Sequence, residues 1–203
     1  MPMSNWYASS LTSSAESGLG NWQKKAISDL LKTGVSERGA VFGQMSEVVY
    51  KSLQHLSDND VQAIAEYLKS LPQTEIPAQA SVPLMEPQQL SPIMASGAKV
   101  YKKHCESCHE ETGVGKPPDY PALFGNHLNN RFSAVNSIRM VLNGGYPPGT
   151  AGNPRPYGMP PFRHTLDDEE VAAVVTYTLN SWGNKVGVVT PYDVNFYRSA
   201  PVN

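Results

Sequence analysis

The chain has very little of several features that would point to common classes of protein. Only two cysteines occur in its 203 residues, and both lie in one five-residue stretch, so none is left for a separate disulfide. The formal net charge is −2, which gives no reason to expect nucleic acid as a partner. No apolar run approaches the roughly 20 residues of a membrane-spanning helix. We therefore expect membrane association only through partners or through segments missing from this chain.

The two cysteines form a motif with the histidine that follows them. Residues 105–109 read Cys-Glu-Ser-Cys-His, and this C-x-x-C-H spacing is the attachment signature of c-type haem. Each thiol can form a thioether to one haem edge, and His109 then lies under the iron as its proximal ligand. A thioredoxin-like site would need a preceding strand, and zinc would need a second pair of ligands at the right spacing. The sequence therefore predicts one haem c attached to Cys105 and Cys108.

Two amphipathic helices are predicted on either side of this motif. The first ends at the cysteines, and its buried face consists of Ile93, Gly97, Val100, Tyr101 and His104. Gly97 has no advantage inside a helix, so we expect it to permit the close approach of another helix. The second helix is predicted from about Asp167 to Trp182, with Thr165 as N-cap and Asp168 completing a capping box. The acidic first turn of this helix suits the positive end of the helix dipole.

Met159 is the best candidate for a second axial ligand. It lies in the sequence Tyr-Gly-Met-Pro-Pro-Phe, in which a rigid loop can hold a thioether against the iron. Met140 falls in a helical pattern that indicates core packing, and Met94 precedes the motif on the wrong side. Two loop histidines, His127 and His164, could replace Met159 in principle. His104 is expected to face away from the iron.

Residues 94 to about 183 resemble a class I cytochrome c domain. The resemblance rests on the ordered pattern Gly97-x-x-x-Tyr101-x-x-x-Cys105-x-x-Cys108-His109, Pro121-x-Leu123, Met159-Pro160 and Leu166-x-Asp168-x-Glu170-Val171. It implies an all-α domain around a covalent haem, with His109 and Met159 as axial ligands. It also implies a hydrogen bond from His109 to the carbonyl of Pro121, which would fix the orientation of the imidazole. Three aromatic residues are expected to line or cover the haem crevice, although ordinary core packing is equally consistent: Tyr101, Tyr157 and Trp182.

The first third of the chain repeats part of this domain. Seven positions between 56 and 67 match positions between 166 and 177, and five of them carry identical residues. A second set matches at nearly the same offset: Ile27, Leu30, Leu31 and Gly34 with Ile138, Val141, Leu142 and Gly145. Met45 stands where Met159 stands in the second copy, but no C-x-x-C-H motif precedes it. The first copy is thus either the end of a haem domain whose start lies outside this chain or a degenerate copy without haem.

The first of these alternatives is favoured by Met45 and by the lack of a hydrophobic export signal at the N-terminus. Met45 would then be a ligand of a haem attached outside this chain. The competing interpretation is that Met45 merely packs in a small helical layer. We expect four segments: a partial cytochrome c-like unit over 1–75, a Pro-rich extended linker over 76–92, a cytochrome c domain over 93–183, and a tail over 184–203 without clear helical period.

Most of the chain resembles the C-terminal part of the multi-haem cytochrome c subunit of membrane-bound bacterial dehydrogenases that oxidise alcohols, gluconate, sorbitol or aldehydes. The supporting stretches are residues 6–12, 18–22, 45–50, 63–72 and 182–184. The resemblance implies a periplasmic electron-transfer protein, or one on the periplasmic face of the inner membrane. It would relay electrons from a dehydrogenase catalytic subunit or another haem domain to a further haem, a quinone or an oxidase. The alternatives are a peroxidase-like or sulfur-oxidising haem enzyme with a displaceable sixth ligand, and a haem-free partner-binding module over residues 1–75.

Overall fold

The computed structural model is built mainly of helices, which confirms the predicted all-α class. It describes residues 2–3, 6–7, 11, 18–72, 85–117, 119–123 and 133–201. His127 and most of the predicted linker lie outside these residues. None of the helices in the described ranges is long and apolar enough to cross a membrane.

The first unit is a small helical layer with two short hairpins. Its elements are β1 (Pro2–Met3), β2 (Trp6–Tyr7), α1 (Lys24–Thr33), β3 (Val35–Ser36), β4 (Gly39–Ala40), α2 (Gln44–Lys51), a 3-10 turn (Leu53–His55) and α3 (Asp58–Ser70). Strand β1 pairs antiparallel with β2, and β3 pairs antiparallel with β4. Helices α1 and α3 pack together around a core of apolar side chains: Leu19, Ile27, Leu31, Val61, Ala65 and Leu68. Four of these six residues, Ile27, Leu31, Val61 and Ala65, stand at positions where the sequence repeats the second unit.

The second unit is organised by two long helices that cross. Its elements are α4 (Pro87–His104), α5 (Glu106–His109), α6 (Ser133–Asn143), α7 (Asp168–Asn180) and α8 (Pro191–Ser199). The predicted close approach at Gly97 is confirmed, because a Cβ there would lie 2.6 Å from Tyr177 Cβ on α7. Val100 and Tyr101 are buried on the same face of α4, as predicted. Helix α7 supplies the centre of the core, since Val171, Val174 and Val175 are almost fully buried.

The predicted cap of α7 was two residues too early. The N-cap is Asp167, whose carboxylate accepts a hydrogen bond from the Glu170 amide at 2.8 Å, while the Glu170 carboxylate accepts one from the Asp167 amide at 3.1 Å. The amides of Thr165 and Leu166 donate instead to the carbonyl of Phe162, so a turn precedes the helix. Leu166 is buried, which fixes this register.

The tail contains a helix that its apolar pattern did not reveal. Thr190 caps α8 in a capping box with Asp193, and Val194 is fully buried in the core of the second unit. Tyr192 and Phe196 are exposed on the opposite face, so apolar residues on both faces hide the helical period. The tail packs on its own chain.

The end of the predicted extended linker is also helical. Residues 87–92 form the first turns of α4, so the linker prediction was wrong for this part. Pro87 stands at the first helical position, where the missing N–H would have no partner within the helix. Residues 73–84 lie outside the described ranges.

The two units contact each other through short loops. Thr150 Oγ1 donates a hydrogen bond to the Thr33 carbonyl at 2.9 Å. The Asn136 side chain on α6 pairs with both backbone polar groups of Tyr7, at 2.8 and 2.9 Å. The loop after α6 and the hairpin β1–β2 therefore hold the first unit against the second.

Candidate functional site

A cavity of about 570 Å³ lies between the two units and contains the predicted attachment motif in its wall. Its wall is mainly apolar, as is usual for sites that bind organic cofactors. The second unit contributes Cys105, Cys108, His109, Pro121, Tyr157 and Met159 to this wall. The first unit contributes Leu19, Trp22, Leu30, Ala40 and Phe42. The fold thus brings the predicted attachment and ligand residues together, and it adds a wall from the first unit that sequence analysis missed.

The motif occupies the junction of two helices. The Cys105 amide donates to the Tyr101 carbonyl at 2.8 Å and closes α4, and the single turn of α5 then carries Cys108 and His109. Both thiols are free. Burial, with a smaller contribution from Cys108, raises the pKa of Cys105 to about 11. Cys105 is therefore a neutral thiol at pH 7 and follows a helix, which argues against a thioredoxin-like redox pair.

His109 makes the hydrogen bond that the resemblance implied. Its Nδ1 lies 3.0 Å from the carbonyl oxygen of Pro121, and because a carbonyl can only accept, Nδ1 carries the proton. Burial lowers the pKa of His109, and the bond to Pro121 opposes this shift only in part. The imidazole is consequently neutral, with the Nε2 lone pair available for a metal.

Gly115 brings the Pro121 carbonyl within reach of the histidine. Its φ of +62° lies in the left-handed region, and a Cβ there would lie 2.8 Å from Pro121 O. Its amide donates to the His109 carbonyl at 3.1 Å. Sequence analysis missed this residue, although a glycine between the motif and a conspicuous Pro-x-Leu is the kind of signal that could have identified it.

The loop that carries Met159 is paired to the end of α6. The Met159 amide donates to the Gly145 carbonyl at 2.8 Å, and the Gly145 amide donates to the Met159 carbonyl at 3.0 Å. Gly144 has a φ of +63°, and a Cβ on it would lie 2.8 Å from the Pro160 carbonyl carbon. This pairing holds Met159 in the cavity wall, and its role as an axial ligand stays a prediction.

Two residues that were set aside also reach the cavity. Met140, interpreted as a core residue, and His104, expected to face away, both lie in the wall. The His104 ring stands edge-on to Phe162 at 5.8 Å between centroids. His164 is exposed and is not part of the wall.

Tyr101 and Trp182 do not line the cavity, in contrast to Tyr157. Their rings pack against each other in a tilted arrangement, with centroids 5.2 Å apart. Tyr101 Oη donates to the Glu110 carbonyl at 2.6 Å, and Trp182 Nε1 donates to the Glu111 carbonyl at 3.1 Å. Because both bonds hold the segment directly after His109, these residues support the site from its core side.

Met45 lies outside the cavity wall. It stands in the first turn of α2, rather than in a loop, and packs against the core of the first unit. This placement agrees with the packing interpretation. A role as ligand of a haem attached outside this chain stays a prediction.

Together, the helical fold and the attachment motif define a c-type cytochrome domain. A family model described as cytochrome c oxidase, cbb3-type, subunit III matches residues 92–177. This part of the chain is therefore a class I cytochrome c domain, and such domains bind haem.

Relatives extend the similarity over the rest of the chain. The alcohol dehydrogenase (quinone) cytochrome c subunit of Gluconobacter oxydans (strain 621H) is 36% identical over 210 residues, which cover 100% of this chain and 44% of the relative. The gluconate 2-dehydrogenase cytochrome c subunit of Pantoea cypripedii is 36% identical over 204 residues, covering 97% and 46%. The fructose dehydrogenase cytochrome subunit of Gluconobacter japonicus is 29% identical over 216 residues, covering 96% and 44%. The chain thus spans less than half the length of these relatives.

Proposed function

We propose that this chain transfers electrons through one haem joined covalently to Cys105 and Cys108, with His109 and Met159 as its axial ligands. The observation that carries the proposal is an apolar cavity whose wall contains two free thiols, the neutral imidazole of His109 and the thioether of Met159. These residues fit a haem c, because they provide both attachment points and both kinds of ligand. A haem bound there supplies reversible one-electron chemistry at its iron.

The protein residues set the conditions for this chemistry. The bond between His109 and Pro121 fixes the tautomer and the ring orientation of the proximal ligand. His109 and Met159 would both hold the haem iron, and a haem held by two protein ligands would be suited to electron transfer and not to substrate chemistry. His/Met ligation also raises the reduction potential, which suits a late acceptor in a chain of electron carriers.

The relatives indicate the setting in which this domain acts. Their names describe cytochrome subunits of dehydrogenases. By analogy, the donor is a dehydrogenase catalytic subunit or a neighbouring haem domain, and the acceptor is a quinone, an oxidase or a further haem. The site of action is the periplasm or the periplasmic face of the inner membrane, where haem c is attached. Met45 would serve a second haem whose attachment motif lies outside this chain.

The two alternatives have less support. None of these three relatives has a name that describes a peroxidase-like or sulfur-oxidising enzyme. The idea of residues 1–75 as an independent haem-free module agrees poorly with the cavity, because Leu19, Trp22 and Phe42 of that unit form part of its wall.

The test is to produce the chain in a bacterial periplasm together with the haem-attachment machinery. We expect the intact mass to exceed the protein mass by one haem, with a pyridine haemochrome spectrum typical of two thioethers. The double variant Cys105→Ser/Cys108→Ser should carry no covalent haem. Met159→Ala should keep the haem but lose the red charge-transfer absorption of methionine-ligated ferric haem, whereas the control Met94→Ala on α4 should retain it. Wild-type chain without covalent haem would overturn the proposal.

A further inference from the structure

We infer that Phe42, which belongs to the first unit, is a positioning residue for the Met159 loop of the second unit. The inference rests on the proposed role of Met159 as an axial ligand. It assigns to the first unit a part in holding that ligand in place, which neither the family model nor the names of the relatives describe.

The contact that carries the inference is made at Gly145. A Cβ placed on Gly145 would lie 3.3 Å from Cδ1 of Phe42, so the phenyl edge occupies the space that a side chain at this position would need. Met140 lies on the same side, with its Sδ 3.6 Å from that Cβ position. Gly145 is also the residue whose amide and carbonyl pair with Met159. The phenyl ring therefore supports the strand-like pair that holds Met159 in the cavity wall.

The backbone next to Phe42 is hydrogen-bonded within the first unit. The preceding Val41 amide donates to the Gly34 carbonyl at 2.9 Å, and the Ser46 hydroxyl donates to the Val41 carbonyl at 3.1 Å. These bonds join Val41, the neighbour of Phe42, to the end of α1 on one side and to the first turn of α2 on the other. The support for the Met159 loop therefore comes from an ordered part of the first unit.

A reciprocal contact strengthens this arrangement. Gly34 is the first-unit counterpart of Gly145 in the internal repeat, and a Cβ on it would lie 2.6 Å from Cδ of Pro148. Each unit thus places a ring against the equivalent glycine of the other: Phe42 on Gly145, and Pro148 on Gly34. Pro148 stands in the segment between Gly145 and Met159. The start of the loop, at Gly145 and Pro148, is consequently held by the first unit.

The consequence concerns how easily Met159 leaves the iron. An external ligand such as imidazole can replace Met159 only if the loop moves away, and this movement must break the contact between Phe42 and Gly145. Removing the phenyl ring lowers the cost of opening. We expect Phe42→Ala to bind imidazole in the ferric state about tenfold more tightly, which corresponds to about 1.4 kcal/mol. Phe42→Leu, which keeps part of the apolar volume, should give a smaller increase.

The experiment uses the holoprotein and measures the charge-transfer absorption and the imidazole affinity of wild type, Phe42→Ala and Phe42→Leu. Tyr50→Ala is the matched control, because Tyr50 is an exposed aromatic residue on α2 of the same unit and lies outside the cavity wall. Far-UV circular dichroism and thermal unfolding report whether each variant is folded. If Phe42→Ala does not fold, Phe42→Leu decides the question.

A weakened charge-transfer band and tighter imidazole binding in the Phe42 variants, with Tyr50→Ala unchanged, would support the inference. A folded Phe42 variant with unchanged charge-transfer absorption and unchanged imidazole affinity would overturn the inference. A Phe42 variant that loses thermal stability but changes in neither of these properties would also overturn it. If the wild type itself lacks the band and binds imidazole as tightly as Met159→Ala does, the ligand assignment of the proposed function fails. That result can be distinguished from a failure of the inference, because it is seen in the wild type, without any substitution at Phe42.

Discussion

The tight crossing of α4 and α7 leads to a prediction for Gly97→Ala. A Cβ at this position would lie 2.6 Å from Tyr177 Cβ and 2.8 Å from the Ala173 carbonyl carbon. Ordinary van der Waals contact begins near 3.4 Å, so the first of these distances is about 0.8 Å too short. The obstacle includes the backbone of α7, which cannot rotate away as a flexible side chain could. The two helices would have to separate, and the core around Tyr101 would loosen with them.

Two opposing free energies decide the size of the effect. Overpacking of a well-packed contact typically costs about 1–3 kcal/mol, and a backbone obstacle places this case at the upper end. Alanine is favoured over glycine inside a helix by about 1 kcal/mol, which acts in the opposite direction. We therefore expect Gly97→Ala to lower the free energy of unfolding by about 2 kcal/mol.

Urea unfolding of the holoprotein, followed by far-UV circular dichroism, would measure this change as a lower midpoint at constant slope. Gly149→Ala is the matched control, because nothing lies within 4 Å of a Cβ at that exposed loop position. It should stay within about 0.5 kcal/mol of wild type. A Gly97→Ala variant as stable as wild type, or more stable, would show that helix propensity dominates and that the crossing is not tight.

Three further substitutions test the packing and electrostatics of the second unit. Leu142→Ala removes a fully buried side chain, and chemical denaturation should show a loss of about 2–5 kcal/mol. Trp182→Phe removes the indole hydrogen bond to the Glu111 carbonyl, so the free energy of unfolding should fall by about 1 kcal/mol. Thermal unfolding should show this as a lower melting temperature, and an unchanged melting temperature would refute the prediction. Burial raises the pKa of Asp168, but hydrogen bonds from Asn195 and Arg198 outweigh it and leave the pKa below 3.8. The ionised Asp168 side chain therefore stabilises the fold above pH 3.8, and this stabilisation is lost as the pH falls through the lower pKa of the folded state. The free energy of unfolding of wild type and of Asp168→Asn, measured against pH, should converge in acid. Parallel curves would contradict this linkage.

Much of the fold could be predicted because its strongest signals are local. The apolar face of α4 and the glycine at its crossing follow from helical periodicity, and the structure places both as expected. The predicted N-cap of α7 was wrong by two residues because Thr165 and Asp167 are both good N-caps. The choice between them depends on the burial of Leu166, which is a tertiary effect. Helix α8 was missed because its exposed aromatic residues resemble a second apolar face.

The site was predictable where the chemistry is encoded in sequence and not where it depends on packing between units. The motif residues and Met159 reach one cavity, because attachment and ligation require particular side chains at particular places in the chain. Tyr101 and Trp182 were harder to place, since an aromatic ring near a crevice packs equally well on either side of it. The contribution of Phe42 could not be predicted, because it arises from the contact of two units joined by residues outside the described ranges.

The division of the cavity wall between the two units has a consequence for the biogenesis of the protein. A ribosome makes the first-unit wall, including Trp22 and Phe42, well before it makes Cys105 and Cys108. An enzyme that joins haem to these thiols needs access to them from outside, and the first unit forms part of the wall of the cavity that contains them. We therefore expect cofactor attachment to precede the docking of the units, even though the first unit is synthesised before the cysteines. The contacts at Gly34 and Gly145 would then form last, as the step that closes a mature site.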